Sequence, residues 1–157
     1  MIPVLQIQIS WVHNLMFDKN RYLSKDLRTK PKYQPHDALV LDKKIHAFRL
    51  LLAEHQKNIL SLIAEFTSYP WTEHSMPIYV SDTVPNSYAD PLTLKYHDDP
   101  TIMLNALIHE LVHRNIPPGI HNPLSDNERE SFVENITQHV TKTLAIPTES
   151  YYAKKLH

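Results

Sequence analysis

The chain contains no cysteine among its 157 residues, which excludes a disulfide framework and any thiolate metal site. It has one glycine against 12 prolines. Turns that need positive φ therefore fall to Asn or Asp, with Asn86 and Asp90 as candidates, and a glycine-hinged lid is not available. Neither sign of charge is in excess: 16 Lys and Arg face 17 Asp and Glu, for a net charge of −1. Without a basic run there is no electrostatic footprint for nucleic acid. No apolar stretch approaches the roughly 18 residues of a membrane span. Met1 to Ser10 is apolar but is interrupted by Gln6, Gln8 and Ser10 and lacks the positive start of a signal peptide. These absences lead to the expectation of a cytoplasmic protein with one hydrophobic core and no nucleic-acid or membrane partner.

What the chain has in quantity is histidine, 11 in all, and two of them stand in the pentapeptide His109-Glu110-Leu111-Val112-His113. On a helix they lie at i and i+4, about 40° apart around the axis, so both rings reach one metal ion. Glu110 points roughly 100° away, where it can take a proton from a metal-bound water instead of serving as a ligand. An HExxH pattern arises by chance in roughly 4% of shuffled chains of this composition, so its surroundings have to carry the argument. They do: Ile102, Met103, Leu104, Ala106, Leu107, Ile108, Leu111 and Val112 cover most of a helix over Thr101 to Arg114. Asp98-Asp99-Pro100 starts it and Pro117-Pro118-Gly119 ends it. A helix buried on nearly all sides keeps two histidines and a glutamate only when something compensates them, and a metal does so.

A catalytic zinc takes a third protein ligand and leaves one position open. The next helical stretch, Asp126 to Ala145, turns Phe132, Val133, Ile136, Val140 and Leu144 to the core. Glu130 lies roughly 90° from the centre of that face, Glu134 roughly 130° away, and Glu128 roughly 110° away on the other flank. This phase favours Glu130 as the ligand. Glu134 is the second choice, or a carboxylate that fixes the tautomer of a ligand imidazole. His121 competes for the same role. In the metzincin pattern HExxHxxGxxH, however, Ile116 and Gly119 occupy the last two defined places and His121 comes two residues late.

The HExxH helix followed by a glutamate-bearing helix resembles the gluzincin clan of zinc metallopeptidases. Upstream, Asn86-Ser87-Tyr88 and then Leu92-Thr93-Leu94-Lys95-Tyr96-His97-Asp98 are similar to the edge strand and inner strand that precede the active-site helix in that clan. The order of elements in so short a chain is most similar to the minigluzincins, over roughly Asp37 to Ile146. The resemblance implies zinc as cofactor and a peptide or protein substrate lying along Asn86, Ser87 and Tyr88. It further implies peptide-bond hydrolysis with Glu110 as general base. The clan places an aspartate four residues after the ligand glutamate; here that place holds Glu134 if Glu130 is the ligand, or Gln138 if Glu134 is. His121, His139, Tyr151 and Tyr152 stand as alternatives for stabilising the oxyanion.

The expected fold is α+β, a zincin-like single domain with a long backing helix, a small mixed sheet, the active-site helix and the glutamate helix. Residues 1–36 form a strand (Val4 to Trp11, alternating) and a polar loop (Phe17 to Pro35), residues 37–146 the catalytic domain, and residues 147–157 a tail. In the backing helix, Asp37 to Tyr69, the stripe Ile45, Phe48, Leu52, His55, Ile59, Leu62 and Phe66 faces the core, with His55 a core or boundary residue and Trp71 packed beneath the sheet. The tail is long enough to return to the cleft and inhibit the protein itself, through Tyr151, Tyr152 or His157. A zinc-binding regulatory module without turnover is the alternative function.

Overall fold

A computed structural model of the chain describes residues 1–10, 12–14, 16 and 34–155. The polar loop expected over Phe17 to Pro35 falls almost wholly outside the described residues, as do Trp11 and His157. The described elements are β1 (Val4–Gln8), α1 (Pro35–Lys44), α2 (His46–Thr67), β2 (Ser75–Ser81), β3 (Tyr88–Ala89) and β4 (Leu92–Lys95), then α3 (Pro100–Asn115), α4 (Pro118–His121), α5 (Asp126–Thr143) and α6 (Glu149–Lys155). This is the mixed α+β architecture that the sequence leads one to expect.

The four strands form one sheet in the order β1-β2-β4-β3. β1, β2 and β4 run parallel, and β3 closes one edge antiparallel to β4. Met76, Ile78, Val80, Leu92 and Leu94 are buried into the shared core with α2 and α3. On the opposite pleat, Ser81 and Thr93 are fully buried. Near Thr93, the His13 ring stacks on Tyr79 at 4.4 Å, and Asn14 donates to the Ser10 carbonyl at 2.9 Å.

The backing helix is interrupted at Ile45 (φ −84°, ψ 9°), so the single helix expected over Asp37 to Tyr69 is two, α1 and α2. Its core face also departs from the expected stripe. Phe48, Leu52, Ile59, Leu60, Ile63 and Thr67 are buried, whereas Phe66 is exposed and His55 half-buried. A repeat of alternating threes and fours averages 3.5 residues, and on a straight helix of 3.6 it drifts; the core follows the real pitch, one position across by the last turns. Trp71 is buried and donates its indole N–H to the Leu60 carbonyl at 2.8 Å, which ties it to α2.

Without glycine at the helix ends, Ser68 (φ 62°) and Ala145 (φ 53°) adopt the left-handed conformation after α2 and α5. Among the described residues these are the positive-φ positions, so the assignment of Asn86 and Asp90 to that role is corrected. Among the described residues, helix C-termini and not strand turns are where the conformation is needed. No helix of the described residues is long and apolar enough to cross a membrane.

Candidate metal centre

α3 is the central helix and packs against α2, α5, α6, β3 and β4. Asp99 caps it by accepting from the Thr101 backbone N–H at 2.8 Å, with Pro100 in the first turn. At the other end Asn115, buried, hydrogen-bonds Thr67 and the Tyr69 carbonyl, joining the ends of α2 and α3. Arg114 holds Glu73 through two N–H groups at 3.1 and 2.7 Å and the Ala89 carbonyl at 3.0 Å, which docks α3 against the edge strand. α5 begins with a capping box: Glu128 N–H donates to Ser125 Oγ, and Ser125 N–H donates to the Glu128 carboxylate at 2.9 Å. Glu128, weighed above as a flank residue, is thereby occupied in the cap.

α5 is seated slightly rotated from the expected phase. Val133, Ile136, Thr137, Val140 and Thr141 are buried, Phe132 is exposed and Leu144 only half-buried. Thr137 and Thr141 enter the core because each hydroxyl donates to the carbonyl four residues back, at 2.9 and 3.0 Å. The rotation brings Glu130 and Glu134 towards α3.

His109, His113 and Glu130 come together as a group that can hold a metal ion. Nε2 of His109 and Nε2 of His113 are 3.2 Å apart. Oε2 of Glu130 lies 3.3 Å from the first and Oε1 lies 3.1 Å from the second. Tetrahedral ligands about 2.0–2.1 Å from a common ion are separated by about 3.3 Å, so the two nitrogens are spaced as neighbours in one coordination shell and each has a Glu130 oxygen at the same spacing. The two imidazole nitrogens face each other at hydrogen-bond distance, and with both protons on the outer nitrogens both lone pairs are offered to an ion. The residues present fit a divalent cation.

The outer nitrogens of the two rings meet different groups. Nδ1 of His109 is buried without a hydrogen-bond partner among the described residues, and the nearest carboxylate oxygen is Oε2 of Glu134 at 3.6 Å. Nδ1 of His113 lies 3.1 Å from Nε2 of His121, so His121 stands behind the group and not in it. Burial, then the neighbouring His109, lowers the His113 pKa to about 4, against an opposing pull from Glu130. That keeps its ring neutral at pH 7, as a metal ligand must be.

A cleft of about 540 Å³ opens at the group. Its lining includes Asn86 and Ser87 on one side, His109, Glu110 and Glu130 on the other, and Tyr151 of α6. Glu110 thus shares the cleft with the metal group while remaining outside it. Ser87 accepts from the Lys95 N–H at 2.9 Å. The edge strand itself is shorter than expected: Tyr88 and Ala89 pair with β4, while Asn86 and Ser87 precede the strand as cleft wall. The Lys95 N–H that would continue the ladder donates to the Ser87 hydroxyl instead of a backbone carbonyl.

The tail packs on α3. Asn105, fully buried one turn before His109, donates to the carbonyls of Thr101 at 2.9 Å and Pro147 at 2.8 Å. Tyr151 is buried in the cleft, where burial and then the charges of Glu134, Glu110 and Glu130 raise its pKa. Tyr152 donates its hydroxyl to Oε1 of Glu134. His139 lies against Phe66 with ring centroids 5.7 Å apart and bonds the Asn135 carbonyl, outside the lining of the cleft. Asn105 was not singled out from sequence, although an amide inside an apolar helix signals a buried partner. No family model, no curated protein and no solved structure matches the chain.

Proposed function

We propose that the protein is a zinc-dependent metallopeptidase of gluzincin type with a zincin-like fold, and that His109, His113 and Glu130 are its ligands. The observation that carries this reading is that the two Nε2 atoms stand 3.2 Å apart with one Glu130 carboxylate oxygen 3.3 Å from His109 and the other 3.1 Å from His113, in a cleft also lined by Glu110. Two neutral imidazoles and one carboxylate form a donor set that suits zinc and leaves a position open. A zinc ion held there would lower the pKa of water towards about 7 and polarise the scissile carbonyl.

Glu110 acts as the base: it takes a proton from the attacking water and returns it to the leaving amine. Glu134 orients the His109 ring. The substrate backbone runs past Asn86, Ser87 and Tyr88 at the open end of the sheet, so recognition rests on main-chain hydrogen bonds. Tyr151 is the best placed of the four oxyanion alternatives to reach a substrate, since it lines the cleft. The same position lets the tail limit access, and the isolated protein is proposed to be latent to that extent.

Glu110→Gln tests the reading. The variant should bind zinc as the unaltered protein does, while peptide hydrolysis falls by about 100-fold or more, in the range expected for loss of a general base. Zinc binding without cleavage of any member of a broad peptide library, before or after removal of residues 150–157, would favour the regulatory module instead.

A further inference from the structure

The tail touches the candidate centre in two ways, and one of them faces away from the cleft. Tyr152 is half-buried, and its hydroxyl hydrogen-bonds Oε1 of Glu134 while Oε2 of the same carboxylate faces Nδ1 of His109 at 3.6 Å. Gln138 also donates to Oε1, at 3.4 Å. Tyr152 is held in place by its neighbours: the Tyr151 ring at 5.3 Å, its own N–H on the Thr148 carbonyl at 3.1 Å, and the Asn105 anchor on Pro147. A carboxylate with one oxygen fixed by a phenol presents the other in a defined direction. Here that direction is towards an imidazole nitrogen that is buried and otherwise lacks a hydrogen-bond partner among the described residues.

We infer that Tyr152 is a positioning residue for the metal group: it orients Glu134, which in turn fixes the ring of His109 with Nδ1–H outward and Nε2 towards the ion. This rests on the proposed ligand set. It assigns α6 a structural part in the centre, separate from any restriction of the cleft by Tyr151. Two segments about forty residues apart, the active-site helix and the tail, then form one unit.

The test is zinc affinity in the full-length protein, measured by competition with a chromophoric chelator for the unaltered chain, Tyr152→Phe, Glu134→Gln and the double variant. Tyr152→Phe removes one hydroxyl and keeps the ring; it should weaken binding about 3- to 10-fold, with Gln138 retaining part of the restraint. Glu134→Gln should weaken it about 10- to 100-fold, and the double variant no further, because both act through one path. A merely structural role would not move the second readout, the Nδ1–H resonance of His109 in imidazole-detected NMR of the zinc-loaded protein, which should shift or broaden in Tyr152→Phe. Unchanged affinity and an unchanged His109 resonance in Tyr152→Phe would overturn the inference. So would multiplicative effects in the double variant. If the unaltered protein takes up no zinc, the ligand reading fails and this inference with it; if it takes up zinc and Tyr152→Phe matches it, only the role of the tail is lost.

Discussion

His109 and His113 stand one turn apart on the same helix, and their surroundings differ. The His109 side chain is 8% exposed and turns its outer nitrogen to a carboxylate; the His113 side chain is 15% exposed and turns its outer nitrogen to a second imidazole. Behind Glu134 lies the anchored tail. His121, by contrast, ends a four-residue helix whose residues 118–120 are exposed. The inner half of the group is thus backed by charge and by packed helices, and the outer half by a neutral group on a short surface turn. A carboxylate raises the basicity of the imidazole it holds more than a neutral partner does. The inner ring is the more firmly supported, and the outer one depends on a weaker support.

Removing ligands is the strongest way to break that comparison. His109→Ala and His113→Ala should each cost about 1,000-fold or more in zinc affinity, since either leaves two donors for an ion that needs three. Glu130→Gln follows, with a loss larger than that of Glu134→Gln. Zinc titrations in which Glu134→Gln is the more damaging would make Glu134 the ligand and remove the inner support altogether.

The outer nitrogens sharpen the comparison. His121→Ala should weaken zinc binding by about 10-fold or less, below the effect of Glu134→Gln, because a neutral acceptor is lost where a charged one is retained elsewhere. Chelator competition on the two variants in parallel decides it. Equal losses would mean that the two halves are supported alike.

How much of this was legible in the chain varies by residue. The apolar wrapping of residues 102–112 and the Asp99-Pro100 start give α3 to within a residue at each end, because both signals are local. Helical phase places Glu130 nearer the HExxH helix than Glu134, and the structure brings Glu130 to both Nε2 atoms and Glu134 to the back of His109. The core face expected from the sequence includes Phe132, which is exposed. Thr137 and Thr141 are counted polar in any pattern, and only their bonds to the preceding turn let them face inwards. Ser125 and Glu128, three residues apart at the start of α5, carry the capping-box signature in the sequence itself. Contacts that join distant segments, His121 to His113, Tyr152 to Glu134 and Asn105 to Pro147, leave no periodic trace. They follow from tertiary packing, which spacing along the chain does not encode.

The smallest effect concerns acid. In the metal-free protein burial and then His109 lower the pKa of His113 from 6.5 to about 4. A group whose folded pKa is depressed takes up a proton more readily in the unfolded chain, so between pH 6.5 and about 4 the unfolded state binds more protons and stability falls as the pH falls. Above pH 6.5 both states are neutral at this ring and no slope arises from it. One proton over that interval bounds the loss at about 2 kcal/mol between pH 6.5 and pH 5. Urea unfolding of the metal-free protein at several pH values should show this slope, and His113→Gln should remove most of it. The outer half of the group would then be the acid-sensitive half. A slope that survives His113→Gln and disappears in His109→Gln would place that sensitivity on the inner ring and reverse the assignment of the better-supported side.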